Sequence, residues 1–271
     1  MRLLTIIIFT VSLAFTLPTA VSGQGFSIAP SRVFFSGNPG ETVTRDLVFT
    51  NTSGKKMSFV TKMQDWDRDS IGNKVYYASN TMPVSNAQWL SLPGNEITVE
   101  PGETKQVSLT MVIPPTAKKL SHSMVFFTQR HEQQPLTNTK AGIGINVIME
   151  VGIQVYYTPP GLNGGDLEFK AFEDRGIIET EGVKNRKIAL KIHNNGDLNK
   201  DAWVKLELTN KETGEEVKIA PAIIAMLPGA TQWVTINLPA HLKGKFLAIA
   251  MLDAGSFYDL KVAEKELIYR P

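Results

Sequence analysis

The side chains that could do chemistry are scattered along this 271-residue chain rather than gathered into a motif. The four histidines, His122, His131, His193 and His241, show no paired spacing suited to a metal ion. His131-Glu132-Gln133-Gln134-Pro135 begins as a zinc-protease helix would, but it lacks the second histidine and runs into a proline, so it reads as a loop. Asp65-Trp66-Asp67-Arg68-Asp69 has the first three acidic spacings of a calcium loop. Ser70, however, stands where the sharp-turn glycine belongs, and Tyr76 stands where the bidentate glutamate belongs, which favours a solvated hairpin turn. There is no Gly-x-Ser-x-Gly elbow, Walker loop or dinucleotide fingerprint. The expectation is a protein without enzymatic activity, cofactor or metal.

The remaining feature is a strand. From Ile143 to Val155 every odd position is apolar, while Gly144, Asn146, Glu150, Gly152 and Gln154 occupy even ones. That is period 2, which gives one apolar face and one small or polar face; on a helix the same residues would spread round the cylinder. Residues 142–157 as one strand could reach ~50 Å, against about 5–6 residues for an ordinary strand. No proline blunts it before Pro159. Such a strand serves either as a long core strand or as an apolar comb offered to another protein, and both can hold along different parts of it.

Met1 and Arg2 precede a mostly apolar run from Leu3 to Leu17, and Val21 and Gly23 are small residues placed for cleavage before Gln24. Residues 1–23 therefore read as a secretory signal, too short and too early for a membrane span. No second run approaches ~18 apolar residues, so the mature chain is expected to carry no membrane span. Loss of Arg2 with the signal leaves 27 basic residues against 26 acidic, which gives no footprint for nucleic acid. With no cysteine, the exported chain must rely on its hydrophobic cores alone.

Short β-rich runs and turn signals alternate through the whole mature chain, and no segment has helical periodicity. Tyr157-Thr158-Pro159-Pro160-Gly161-Leu162-Asn163-Gly164-Gly165 is the one strong linker signal, after which the strand pattern restarts. The fold class expected is all-β: two immunoglobulin-like β-sandwiches, residues 24–158 and 166–271, joined by a short Pro/Gly linker at 159–165. Trp66, Trp89, Trp203 and Trp233 are expected as core fillers.

These pieces resemble the PapD-like periplasmic chaperones of fimbrial (pilus) assembly. The resemblance is carried by Ser31-Arg32-Val33-Phe34-Phe35-Ser36-Gly37, Leu47 to Asn51, Val99-Glu100-Pro101-Gly102-Glu103, Ser123-Met124-Val125-Phe126-Phe127 and Ile153-Gln154-Val155-Tyr156-Tyr157-Thr158-Pro159. Met226-Leu227-Pro228 and Leu252-Asp253-Ala254-Gly255 extend it into the second half. The resemblance implies two sandwiches with a cleft between them, and partners that are secreted, pilin-like β-sandwich subunits. Those subunits are capped by donation of the last strand of the first domain, with Ile143, Ile145, Val147 and Met149 as the inserted comb. It further implies an outer-membrane assembly platform as partner, and it leaves open a self-dimer through the same strand. The family's carboxylate-holding arginine falls on Arg32, whereas its lysine falls on Gln154, a donor without charge. The family's interdomain ion pair falls on His122 and Thr158, which cannot form it. A second resemblance, to two-domain cell-surface proteins that bind surface partners or peptidoglycan, implies the alternative of a surface-binding module.

Overall fold

The structure is a computed structural model that describes residues 25–130 and 148–269. It is built from strands, with one short 3-10 turn at Ala87–Trp89. The first half contains β1 (Phe26–Ala29), β2 (Arg32–Ser36), β3 (Thr42–Asn51), β4 (Met57–Arg68), β5 (Lys74–Tyr77), β6 (Leu90–Ser91), β7 (Glu96–Val99), β8 (Thr104–Val112), β9 (Ser121–Gln129) and β10 (Glu150–Thr158). The second contains β11 (Leu167–Thr180), β12 (Val183–Asn194), β13 (Lys200–Asn210), β14 (Glu216–Val217), β15 (Ala222–Met226), β16 (Thr231–Pro239), β17 (Gly244–Asp253) and β18 (Lys261–Tyr269).

In the first half, the sheet β1-β3-β8-β6 faces the sheet β2-β10-β9-β4-β5, to which β7 is added along β4. Alternating residues of both sheets, among them Leu47, Phe49, Phe59, Leu109, Phe127 and Val155, interdigitate in one core. In the second half, β11-β12-β16 faces β14-β13-β17-β18, with β15 along β13, around Ile188, Leu190, Val204 and Ala248. The molecule is therefore all-β and made of two sandwiches.

Three details differ from the strand pattern read in the sequence. Phe26–Phe35 is not one strand, because β1 pairs with β3 in one sheet and β2 with β10 in the other. Pro30, which has no N–H to give a ladder, sits at the crossing between them. The organising strand begins at Glu150, with Ile148 and Met149 preceding it. Ile143, Ile145 and Val147 lie outside the described residues. Trp203 is a surface residue, 45% exposed on the outer face of β13, and not a core filler.

A third apolar cluster joins the two sandwiches: Trp66, Leu120, Met124, Phe126 and Tyr156 from the first half, Leu227 from the second, with Leu162 and Leu198 packed against them. The β4–β5 hairpin contributes a backbone link, since the amide of Trp233 donates to the carbonyl of Ser70 at 2.7 Å. Gly72, at φ +89°, belongs to the same hairpin turn, and a Cβ there would fall 2.3 Å from the side-chain Nε2 of Gln232. The left-handed φ favours glycine at this docking point, and a Cβ would displace the Gln232 side chain.

Candidate partner-binding edge and cleft

β10 is paired unequally on its two edges. Along β9 it is antiparallel throughout, from Glu150 opposite Thr128 to Tyr157 opposite Ser121. Along β2 it is parallel, and only from Gln154, opposite Arg32, to Thr158, opposite Ser36. Among the described residues, Glu150–Ile153 therefore have a strand on one side only, and their other edge carries ladder groups with no partner strand. Met149, half-buried, lies just ahead of this edge, and its carbonyl accepts the amide of Gln129 at 2.8 Å.

Ile153, Val155 and Tyr157 point into the first core, which fixes Gln154 and Tyr156 on the opposite face, toward the second sandwich. Register then builds two rows across that face. One runs Arg32, Gln154, Met124, Gln64, and the next runs Phe34, Tyr156, His122. Phe34 stacks on Tyr156 with ring centroids 5.2 Å apart, and Trp66 meets Tyr156 edge-on at 6.0 Å and His122 at 5.1 Å.

The sequence-derived anchor residues lie side by side here. Gln154 is buried, and its Oε1 accepts the Tyr156 hydroxyl at 2.7 Å. Arg32 is not an isolated surface arginine: its guanidinium is ion-paired with Asp201 of β13, across the two sandwiches. His122 and Thr158 form no such pair; the His122 Nε2 lies 2.9 Å from the Trp66 carbonyl. Burial holds the His122 pKa below the ordinary histidine value, against the pull of that carbonyl and of Asp67 and Asp65. Burial also pushes the Tyr156 hydroxyl up to about 12, opposed by Arg32 and Arg68.

Two cations of this face were not singled out in the sequence. Arg68 and Lys74 sit opposite each other beside the turn of the β4–β5 hairpin, with charged groups 5.6 Å and 6.0 Å from the Trp66 ring. Burial lowers the pKa of both, and so does the proximity of Arg32. Their spacing from Trp66 was legible in the alternation Gln64, Trp66, Arg68, but the approach of Arg32 and Asp201 was not, because it depends on how the sandwiches meet.

The acidic stretch of β4 does not converge on a cation. Asp65 is buried and accepts the amides of Thr81 and Met82, both at 2.8 Å, and the Ser85 hydroxyl at 2.5 Å. Asp69 closes its own turn through Ile71 and Asn73. Among the described residues, no three acidic, histidine or cysteine groups come together to hold a metal, and no helix is long and apolar enough to cross a membrane. Beside the apolar cluster, a cavity of about 420 Å³ opens between the sandwiches, lined by Asp67, Lys119, His122, Asn195, Asp197 and Leu227 among others.

No protein-family profile matches the chain, and no curated protein matches it by sequence. Solved structures do. A class 5 fimbriae chaperone, CfaA, is 13% identical, covers 90% of this chain and 99% of its own, and superposes with a TM-score of 0.49. The Escherichia coli chaperone DraB is 16% identical, with coverage of 90% and 98% and a TM-score of 0.43. A chain from the Salmonella enterica complex of SafA pilin with the SafB chaperone is 13% identical, with coverage of 92% and 98% and a TM-score of 0.45. The chain is thus similar, over most of its length and at low identity, to chaperones of fimbriae.

Proposed function

We propose that the chain is a non-enzymatic periplasmic chaperone that binds and caps secreted pilin-like β-sandwich subunits by lending them the strand around 142–157. The observation that carries this reading is the one-sided pairing of Glu150–Ile153. An open edge offers main-chain hydrogen bonds to an incoming strand, and the apolar residues at alternate positions supply side chains for its groove. Ile143, Ile145, Val147 and Met149 form the comb in this reading, and Arg32 with Gln154 receives the subunit's terminal carboxylate where the open edge ends. Export by residues 1–23 puts the protein where such subunits pass, as two domains, 24–158 and 166–271. An outer-membrane assembly platform would then take the capped subunit on, and the same open edge would let the free protein pair with a second copy.

The test is expression of the full chain in a bacterial periplasm, with identification of what co-purifies. Wild type is compared with Val147→Asp, and Ile153→Asp serves as the control that places a charge in the first core, where Ile153 is 1% exposed. Strand donation predicts a β-rich secreted subunit on wild type, its absence from a well-folded Val147→Asp, and misfolding of Ile153→Asp. If wild type and well-folded Val147→Asp both carry the subunit, or neither does, the reading fails and the surface-binding module takes its place.

A further inference from the structure

Beside the Arg32–Asp201 pair, the cleft face carries two further cations, Arg68 and Lys74. Arg32 is neutralised by Asp201, but among the described residues Arg68 and Lys74 form no ion pair. Arg68 and Asp201 line the same narrow gap between the sandwiches, together with Tyr156. The Nη1 of Arg68 donates to the carbonyl of Gly72 at 2.6 Å, which fixes the guanidinium at the hairpin and leaves other N–H groups of its fork to donate. Arg68 and Lys74 thus flank the Trp66 ring beside the Arg32–Asp201 pair, and Asp67 and Asp69 share a gap with Arg68 without forming an ion pair with it.

We infer that Arg68, with Lys74 beside it, supplies the second positive charge of the Arg32 site, so that the cleft takes the C-terminal carboxylate of an extended peptide in exchange for Asp201. This inference rests on the chaperone reading above and names the groups that make its anchor work with a glutamine at 154. Arg68 is half-buried, and burial lowers its pKa against the pull of Asp201, so an arriving anion favours its charged form. Asp201 is the internal carboxylate that Arg32 holds while no external one is present. It comes from the second sandwich, so exchange at Arg32 loosens one of the links between the halves. A purely structural role for Arg68, as a cover on the Trp66 ring, would give no discrimination between a carboxylate and an amide.

The probe is a strand-length peptide of alternating valine and threonine, prepared with a free C-terminal carboxylate and as the C-terminal amide. Binding of both forms is measured at low salt to the full-length mature protein and to Arg32→Gln, Arg68→Gln and Asp201→Asn. Wild type should prefer the free carboxylate by about tenfold, since charge-assisted bonds are roughly twice as strong as neutral ones. Arg68→Gln should erase that preference as fully as Arg32→Gln does, and Asp201→Asn should tighten binding of the carboxylate form. If Arg68→Gln keeps the wild-type preference while Arg32→Gln loses it, the inference falls and the Arg32 anchor stands. If wild type shows no preference, the anchor falls as well.

Discussion

The two sandwiches are held together by an apolar cluster, by the backbone link of the hairpin to Trp233 and by an ion pair, and the cluster and the ion pair differ enough in magnitude to be told apart. Leu227 is 5% exposed and is the second sandwich's fully committed member of the cluster that contains Trp66, Met124 and Tyr156. Truncation of a leucine so buried costs about 2–5 kcal/mol. The site lies between halves that can close on the void, so the low end, about 2 kcal/mol, is the expected loss. The Arg32–Asp201 pair has side chains 32% and 49% exposed, and pairs in such settings contribute ~0–1 kcal/mol. Leu227→Ala should therefore uncouple the halves where Asp201→Asn does not. Urea unfolding followed by tryptophan fluorescence, together with calorimetry, reads this directly. Wild type and Asp201→Asn are expected to unfold in one cooperative transition, and Leu227→Ala in two. The carbonyl of Leu227, which accepts Asn194 Nδ2 at 3.0 Å, is untouched by the substitution, so the second sandwich itself should keep its midpoint. A single transition in Leu227→Ala, no less stable than Asp201→Asn, would refute the claim that apolar contact sets the coupling.

Four further outcomes are expected. His122 is held below its ordinary pKa of 6.5 by burial, so between that value and its folded pKa the unfolded chain binds more protons. Stability should accordingly fall as pH drops below about 6.5, and His122→Gln should flatten that slope in unfolding curves taken between pH 5 and 7.5. Asp65→Ala strands the amides of Thr81 and Met82 and should cost about 2–4 kcal/mol in denaturant unfolding. Calcium should leave the melting temperature of wild type unchanged, because the Asp65 oxygens already serve that loop. Gly72→Ala meets both a left-handed φ and the Gln232 side chain; it should destabilise by about 1–2 kcal/mol or more, and Gln232→Ala should recover part of the loss.

How far the sequence could be read follows from the range of the forces involved. Alternation is a local signal, and β3, β8, β13, β16 and β17 lie where it indicated, because each must present one face to a core. Pro30 could be seen to interrupt a strand, but not that the strand on its far side joins the other sheet. Gln154 stood in the polar phase of its strand and is nonetheless buried, since the second sandwich covers that face and the Tyr156 hydroxyl satisfies its oxygen. Trp203 shows the reverse: an aromatic residue in the outward phase of β13, 45% exposed because no described segment covers it. Arg68 belongs, in sequence, to a polar turn, and only the register of the hairpin sets it opposite Lys74. Asp201, which is 169 positions from Arg32, could not be joined to them until the sandwiches were set against each other.

The position of these charges also bears on which way a partner strand would run. An added strand on the open edge of Glu150–Ile153 would lie in line with β2, because both occupy the same edge of β10, and its end would abut Arg32. Run parallel to β10, it brings a terminal carboxylate to Arg32, Arg68 and Lys74; run antiparallel, it brings a terminal ammonium. At ~5 Å and an effective dielectric constant of about 20, each pair of terminus and cation contributes roughly 3 kcal/mol, favourable in the first case and unfavourable in the second, with the opposite charge of Asp201 and partial exposure reducing both. The parallel direction therefore wins. The same anchor also sets register, since alternation alone permits slips of two residues. Insertion of two residues between Met149 and Glu150 keeps every apolar side chain in phase but moves the comb ~7 Å from Arg32. If the cleft fixes the register, this insertion should abolish recovery of the subunit in the periplasmic assay, although alternation is intact. Full recovery would mean that the comb acts alone and that the cations of the cleft do not govern binding.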